Sequence, residues 1–261
     1  MTGTITAHKD GAIGWLVIDQ PARRNAVTFA MWKAIPEVLG DFEADPPVRV
    51  IVLRGAGETA FSAGADISEF ETVRATPAQV AAYDNAADGT GARLHAVAKP
   101  TIAMIHGFCV GGGMGIALDC DIRMAGTSAR FGIPAAKLGI GYDHMGVGRL
   151  IDIVGPSFAK EIFFTARRFT AEEASAMGFV NRVVADGELE EAVRDTCATI
   201  AANAALSHHC IKTTVNELTK GEGEPDFELC NELLRRCFES EDYVEGRRAF
   251  MEKRKPSFHG R

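Results

Sequence analysis

The stretch of the chain that decides its fold is residues 106–121, which read HGFCVGGGMGIALDCD. An apolar run, Thr101–Ile105, precedes it and predicts a buried strand between Pro100 and Gly107. Three glycines follow, and Met114–Cys120 then resumes an apolar pattern typical of a buried helix. Such an arrangement leaves backbone N–H groups free at the helix N-terminus, where they attract an anion or a developing oxyanion. Taken alone, the glycines are more typical of a tightly packed turn.

A second loop of small residues favours a binding site for an oxyanion over a tightly packed turn. Residues Phe61–Ile67 read FSAGADI; they follow a predicted strand, Val48–Arg54, and open a second predicted helix. Both loops come after a strand and both offer free N–H groups. Together they predict two donors directed at one carbonyl oxygen.

The order of elements predicts an α/β core. Strands alternate with helices from the N-terminus to about Val154, which indicates crossover connections. Two predicted strands, Thr4–His8 and Ala12–Ile18, form an N-terminal hairpin around an Asp-Gly turn. The nearly continuous apolar run Val48–Leu53 is typical of a strand that is buried on both faces.

Helical spacing of apolar residues marks three further segments. The first is Thr28–Phe42, whose first residue suits an N-cap. The second is Ala75–Ala98, which we expect to be broken at Asp88–Gly91. Because Ser68–Gly91 is polar and interrupted by glycines, it is either a mobile lid or an ordinary helix with a surface loop. The last third, Leu206–Lys253, is almost wholly helical by pattern, with apolar faces that need a partner surface.

Composition excludes several classes of function. The chain has 261 residues, 46% hydrophobic and 24% charged, which is ordinary for a soluble globular protein. The net charge of −7 and the lack of clustered basic residues argue against nucleic-acid binding. The six cysteines show no CxxC pair or zinc spacing, so we expect free thiols in a reducing compartment. Residues 1–10 lack the apolar core of a signal peptide and no apolar run reaches membrane-spanning length, so we expect a cytoplasmic protein with no membrane partner.

Six motifs spread over nearly the whole chain: Arg24–Val27, Ala60–Ile67, Gly111–Gly113 with Asp121, Phe131–Pro134, Phe169–Ala174 and Phe250–Lys255. Their order and spacing resemble the crotonase superfamily, the enoyl-CoA hydratase/isomerase family. This resemblance implies a crotonase-like spiral of ββα units with a C-terminal helical region. Residues 1–200 would form the core that binds a coenzyme A thioester, and residues 201–261 the helical trimerisation region of a homotrimer or a hexamer built from two trimers.

The resemblance also implies how the site is made. The backbone N–H groups of Ala65 and Gly112 would polarise the thioester carbonyl and stabilise an enolate. No metal is implied, and no cofactor beyond the coenzyme A moiety of the substrate. The implied contacts to the acyl-CoA substrate involve eight residues: Arg24, Ala26, Ala63, Gly64, Asp66, Ile67, Phe250 and Lys253.

The chain departs from the hydratase pattern at both diagnostic positions. Where hydratases carry glutamates, it has Gly115 and Ala135, so neither position can hold and deprotonate a water. In the loop that follows, Asp143 falls where several isomerases of the superfamily hold their catalytic carboxylate. Tyr142 falls where some decarboxylating members carry a tyrosine. Outside the family frame, Asp143 is more typical of a helix N-cap.

These residues make double-bond isomerisation the leading prediction, with Asp143 as acid/base. We expect its carboxylate to be partly shielded from water beside a bound acyl chain. Decarboxylation and thioester hydrolysis or dehalogenation are the alternatives within the same superfamily. An acyl-CoA-binding pseudoenzyme without turnover is the alternative from another class.

Overall fold

A computed structural model describes residues 3–221 and 223–260. The N-terminal prediction for residues 1–10 therefore falls partly on Met1 and Thr2, which lie outside the described residues. The described chain contains strands β1 (Thr4–Asp10), β2 (Ile13–Asp19), β3 (Val50–Gly55), β4 (Ala60–Ser62), β5 (Thr101–Ile105), β6 (Phe108–Val110), β7 (Ile122–Gly126), β8 (Arg130–Gly132), β9 (Phe169–Thr170) and β10 (Arg182–Val184). It also contains helices α1 (Phe29–Ala44), α2 (Phe70–Val73), α3 (Pro77–Ala96), α4 (Gly112–Leu118), α5 (Ala135–Leu138), α6 (His144–Thr165), α7 (Ala171–Ala176), α8 (Leu189–Ala201), α9 (Ala205–Leu218), α10 (Phe227–Glu239) and α11 (Glu241–Met251).

The larger of two sheets has the order β1-β2-β3-β5-β7-β10 among the described residues. The predicted hairpin is confirmed, because β1 and β2 are antiparallel and Gly11 takes a positive φ of 57° in the turn. From β2 onward the neighbouring strands are parallel. Parallel neighbours require crossover connections, which the intervening helices provide.

Side chains of β3 alternate between two separate hydrophobic clusters. Ile51 and Leu53 belong to the main core, which also contains residues of α1, α3 and α4. Val50 and Val52 belong to a second cluster on the opposite face of the sheet, packed against α8. The strand is therefore buried on both faces, as its continuous apolar run predicted.

The smaller sheet, ordered β4-β6-β8-β9 among the described residues, corrects one prediction. Phe61 and Ser62 belong to β4, so the segment predicted as a loop begins as a strand. The helix that it opens is only a short 3₁₀ turn, Ile67–Glu69, which leads into α2. Strands β4 and β6 are parallel neighbours, so the two predicted donor loops leave the same sheet side by side.

Helix α3 corrects a second prediction, because it runs unbroken from Pro77 to Ala96. Gly91 serves packing instead of a turn, whereas a β-carbon at Gly89 would meet nothing within 4 Å. A β-carbon added at Gly91 would lie 2.5 Å from the Asp119 Oδ2 atom. The Thr90 hydroxyl donates to the Trp32 carbonyl at 2.7 Å, which ties α3 to α1.

The helical C-terminal third is confirmed as α9, α10 and α11. A cavity of about 740 Å³ lies between these helices and is lined largely by apolar side chains, several of which are strongly exposed. Within residues 3–221 and 223–260, no helix is long and apolar enough to cross a membrane. The division into residues 1–200 and 201–261 as separate functional units stays a prediction.

Candidate active site

The backbone of Ala65 is held by a single bridge to Val27. The Val27 N–H donates to the Gly64 carbonyl at 2.7 Å, and the Asp66 N–H donates to the Val27 carbonyl at 2.9 Å. In a parallel bridge of this kind the middle residue directs its own N–H away from the partner chain. The Ala65 N–H therefore points away from Val27.

The three glycines of the fold-deciding stretch have three different reasons to be glycine. Gly111 has φ 55° and ψ −124°, a conformation open mainly to glycine. A β-carbon on Gly113 would lie 2.5 Å from the Ser62 carbonyl oxygen, so α4 packs directly on β4. Gly112 is the first residue of α4, and its N–H has no acceptor within the helix.

The N–H groups of Ala65 and Gly112 lie next to each other. A β-carbon added at Gly112 would be 3.5 Å from the Ala65 nitrogen, and one added at Gly64 would be 2.9 Å from the Gly112 nitrogen. The Gly64 backbone, with φ 92°, permits this approach. The Trp32 ring also lies against Gly112, 3.3 Å from the same β-carbon position, and donates its indole N–H to the Tyr83 hydroxyl at 3.0 Å.

The segment that carries Asp143 and Tyr142 contrasts with this partly buried pair. The Asp143 carboxylate accepts the Gly146 N–H at 2.9 Å and is the N-cap of α6. The Asp143 side chain is exposed, and its shielding from water beside a bound acyl chain stays a prediction. Tyr142 packs edge-on against Phe163, with ring centroids 5.1 Å apart, and burial together with the Asp143 charge raises the pKa of its phenol.

The two positions where hydratases carry glutamates have different surroundings. Nothing lies within 4 Å of a β-carbon added at Gly115, so this position faces open space beside the donors' helix. Ala135, the first residue of α5, is buried with 6% of its surface exposed. No carboxylate therefore stands at either position.

Asp119, to which the sequence analysis assigned no role, is a carboxylate on the same helix as Gly112 and Gly115. It caps the C-terminus of α4, and its carboxylate forms an ion pair with the Arg149 guanidinium of α6. Burial raises the pKa of Asp119 to about 6, because it outweighs the opposing effect of Arg149. Its position four residues after Gly115, on the same helix face, is the sequence signal that was available.

Four of the residues expected to contact acyl-CoA cluster around the Ala65 donor. Ala26 is buried, the Ala63 N–H donates to the Arg24 carbonyl at 2.9 Å, and Gly64 joins them through the Val27 bridge. The Arg24 guanidinium lies over the Phe108 ring, 4.8 Å from its centroid. The structure therefore brings Arg24, Ala26, Ala63 and Gly64 to the same place as Ala65.

Asp66 and Ile67 follow the donor and differ in exposure. Ile67 is 63% exposed and open to a ligand. The Asp66 carboxylate is buried and accepts hydrogen bonds from Gln20, Arg23 and Ser68. Burial would raise the pKa of Asp66, but these hydrogen bonds outweigh it and hold the pKa below its usual value. The carboxylate thus stabilises the loop, and a ligand contact by Asp66 stays a prediction.

Phe250 and Lys253 lie elsewhere in the chain. Phe250 is 82% exposed and lines the cavity between α9, α10 and α11, whose lining includes no residue of the two donor loops. Lys253 follows α11 with φ 55°. The structure does not place this pair beside the donor loops, and its contact with acyl-CoA stays a prediction.

The backbone nitrogens of Ala65 and Gly112 lie close together, as the two donors of an oxyanion hole must. That they polarise a substrate carbonyl stays a prediction. Among the described residues, no group of three or more His, Cys, Asp or Glu side chains is arranged to hold a metal ion.

The model of the enoyl-CoA hydratase/isomerase family matches residues 8–261. The chain belongs to this family.

Individual relatives agree with the family. The short-chain-enoyl-CoA hydratase of Clostridium acetobutylicum is 35% identical over 251 residues, which cover 96% of this chain and 95% of that protein. A crystal structure described as an enoyl-CoA hydratase/carnithine racemase from Magnetospirillum magneticum superposes with a TM-score of 0.93 at 36% identity, covering 98% and 96% of the two chains. An enoyl-CoA hydratase/isomerase family protein from Hyphomonas neptunium gives 0.93 at 38% identity, covering 98% of each. The predicted crotonase fold is confirmed.

Proposed function

We propose that this protein is an enoyl-CoA isomerase: it binds an acyl-CoA thioester, stabilises its enolate and moves a double bond, with Asp143 carrying the proton. One observation carries the proposal. The donors at Ala65 and Gly112 adjoin, whereas the two positions that would give a hydratase its carboxylates are Gly115 and Ala135. The chain therefore keeps the means to stabilise an enolate and lacks the means to hold a nucleophilic water.

The oxyanion hole lowers the cost of removing a proton next to the thioester carbonyl. Two N–H donors hydrogen-bond to the carbonyl oxygen, and in other enzymes each such donor contributes roughly 3–4 kcal/mol of transition-state stabilisation. A carboxylate then takes the proton from carbon, and a proton is delivered elsewhere on the conjugated chain. Asp143 suits this role because it has a free oxygen beyond its capping bond and begins the helix that is ion-paired to α4.

The test is a panel of 2-enoyl-, 3-enoyl- and malonyl-type CoA thioesters incubated with pure protein and followed by mass spectrometry and ultraviolet absorbance. We expect conversion of a 3-enoyl-CoA to the conjugated 2-enoyl-CoA with no change in mass. Loss of carbon dioxide, release of free coenzyme A or addition of water would each replace isomerisation by another reaction. Binding measured by calorimetry without any product would make the protein a non-catalytic acyl-CoA binder.

The assembly and the compartment are part of the same proposal. The exposed apolar side chains of α9–α11, among them Phe250 and Met251, suit a helical surface that is covered in a homotrimer or hexamer. We place the enzyme in the cytoplasm, with no cofactor beyond the coenzyme A of its substrate. Light scattering of the purified full chain measures the assembly, and a monomer would contradict it.

A further inference from the structure

One face of helix α4 is only partly buried. Gly112, Gly115 and Asp119 lie along it, at spacings of three and four residues that share one side of a helix. Four residues on the other side are buried: Gly113, Met114, Ile116 and Ala117. The N–H of Gly112, the position of a hydratase glutamate (Gly115) and the side chain of Asp119 therefore lie in sequence along the same partly exposed face.

Asp119 lies one helical turn after Gly115 on this face, and its two carboxylate oxygens lie against Arg149 of α6 and Gly91 of α3. Side chains on a helix lean toward its N-terminus and cover the preceding turn. The preceding turn begins at Gly115, whose carbonyl accepts the Asp119 N–H at 3.0 Å. Because Gly115 has no side chain and nothing lies within 4 Å of the β-carbon position, the turn under Asp119 is open.

Asp119 is held in place from two sides. The Arg149 guanidinium of α6 pairs with its Oδ1 atom. On the α3 side, Gly91 leaves room for the Oδ2 atom, since a β-carbon there would be 2.5 Å from it. Only 11% of the Asp119 side chain is exposed, and it lies close enough to Asp143 for the two charges to interact.

We propose that Asp119 is a second proton carrier of the isomerisation, acting opposite Asp143; this inference rests on the proposed function. Asp143 removes a proton from C2 of a 3-enoyl thioester, and the electron pair of that C–H bond enters the dienolate held by Ala65 and Gly112. Protonated Asp119 then gives its proton to C4, and the double bond moves to C2–C3. Solvent returns both carboxyl groups to their starting states, so the substrate neither gains nor loses atoms.

The charges around Asp119 suit a group that exchanges its proton near neutrality. Arg149 of α6 and Arg123 of β7 favour the carboxylate, while burial and Asp143 favour the protonated acid. Asp88 of α3 adds negative charge next to Asp143 and Arg149. The net effect raises the pKa of Asp119 to about 6, close to the range in which a carboxylic acid is an effective proton donor.

The test separates C2 exchange from isomerisation. Wild type, Asp119→Asn and Asp143→Asn are incubated with 3-enoyl-CoA in D₂O, and mass spectrometry and NMR follow deuterium at C2 and formation of 2-enoyl-CoA. We expect Asp119→Asn to keep C2 exchange while product formation falls by about 10²–10⁴-fold. We expect Asp143→Asn to lose both. Asp152→Asn, an exposed aspartate of α6, serves as the matched control with wild-type rates.

A double variant guards against simple destabilisation. Asp119→Asn leaves the Arg149 charge unpaired, whereas Asp119→Asn/Arg149→Gln leaves no charge and should fold with a melting temperature closer to wild type. If the double variant regains wild-type product formation, or if Asp119→Asn loses C2 exchange as well, the inference is overturned. Product formation by Asp119→Asn within a few-fold of wild type also overturns it and leaves the proposed function standing. A wild type that isomerises no 3-enoyl-CoA overturns both.

Discussion

The two halves of the site are built in opposite ways. The donors at Ala65 and Gly112 are main-chain groups, fixed by the Val27 bridge and by the packing of α4 on β4. Tyr142 and Asp143 lie on an exposed segment before α6, where the Asp143 carboxylate caps the helix and the Tyr142 ring packs edge-on against Phe163. The first half depends on backbone conformation, and the second depends on the identity of individual side chains.

The difference between these two halves indicates which kind of group is more easily changed by substitution. A backbone donor is lost only by a change of conformation or by proline, so small residues at Gly64, Gly111 and Gly113 preserve it. A side-chain acid or base is lost by a single substitution, as at Gly115 and Ala135. The family model identifies the family, and we propose that the carboxylates around the donor pair determine which reaction this member catalyses.

The largest expected effect is on the rate of hydration. This rate tests whether the missing carboxylates at positions 115 and 135 decide the reaction. A hydratase with glutamates at both diagnostic positions should hydrate crotonyl-CoA at least about 10⁴-fold faster than this protein, since each positioned acid or base contributes about 10²–10⁴-fold. Absorbance at the enoyl-thioester band measures both rates under identical conditions. Hydration at a comparable rate would mean that another carboxylate, such as Asp143, holds the water.

The second prediction tests the side-chain half directly. Asp143→Asn should lower turnover by about 10²–10⁴-fold and change acyl-CoA affinity by only a few-fold, because the amide cannot accept a proton. Asparagine is as good an N-cap as aspartate, so α6 keeps its first turn. Steady-state kinetics and calorimetric binding give the two quantities.

A matched control separates proton transfer from helix capping. Asp226 caps α10 as Asp143 caps α6, each accepting an N–H three residues later at 2.9 Å. Asp226→Asn should leave turnover unchanged. If Asp143→Asn is also fully active on a confirmed substrate, then Asp143 is only a cap, and the proton carrier must be sought at Tyr142, His144 or Asp119.

Much of the fold could be predicted from local pattern, and the failures share a physical cause. Apolar runs such as Val48–Leu53 and Thr101–Ile105 need burial wherever they occur, so β3 and β5 were predictable. Strand β4, with three residues, is too short to show a period. The expected break in α3 was wrong because Gly91 meets Asp119, a contact between residues far apart in sequence.

The same distinction between local patterns and contacts distant in sequence applies to the candidate site. The sequence motifs predicted adjoining donors at Ala65 and Gly112, because those loops depend on nearby small residues. The Asp119–Arg149 ion pair joins helices thirty residues apart and could not be read from either segment alone. Burial, which raises the pKa of Asp119, is likewise a property of the folded chain.

The third prediction addresses the backbone half. Gly112→Pro removes a donor N–H at the first position of α4, where proline is compatible with a helix, and should lower turnover by about 10²–10³-fold. Gly112→Ala is the control, since it adds the same β-carbon, 3.3 Å from Trp32, but keeps the N–H. Equal rates for the two folded variants, compared at matching melting temperatures, would show that the Gly112 N–H does not act as a donor.

The smallest expected effect is on the stability of the folded protein. It depends on the pKa of Asp119, which lies at the end of α4. Its pKa in the folded protein is about 6, against an ordinary 3.8, so the folded state holds this proton more tightly than the unfolded state. The resulting stabilisation is fully present below about pH 3.8 and is lost as the pH rises through about 6. A shift of about two pKa units corresponds to about 3 kcal/mol.

Asp119→Asn cannot titrate, and the unpaired Arg149 that it leaves stays charged throughout this range, so its cost is constant with pH. The unfolding free energy of wild type should therefore fall by up to about 3 kcal/mol relative to the variant between pH 4 and pH 7. Urea denaturation of both proteins across this range measures the difference. A difference that does not change with pH would mean that the pKa of Asp119 is the same in the folded and unfolded states. Asp119 would then be a fixed structural charge of the backbone half, with no proton to offer the acyl chain.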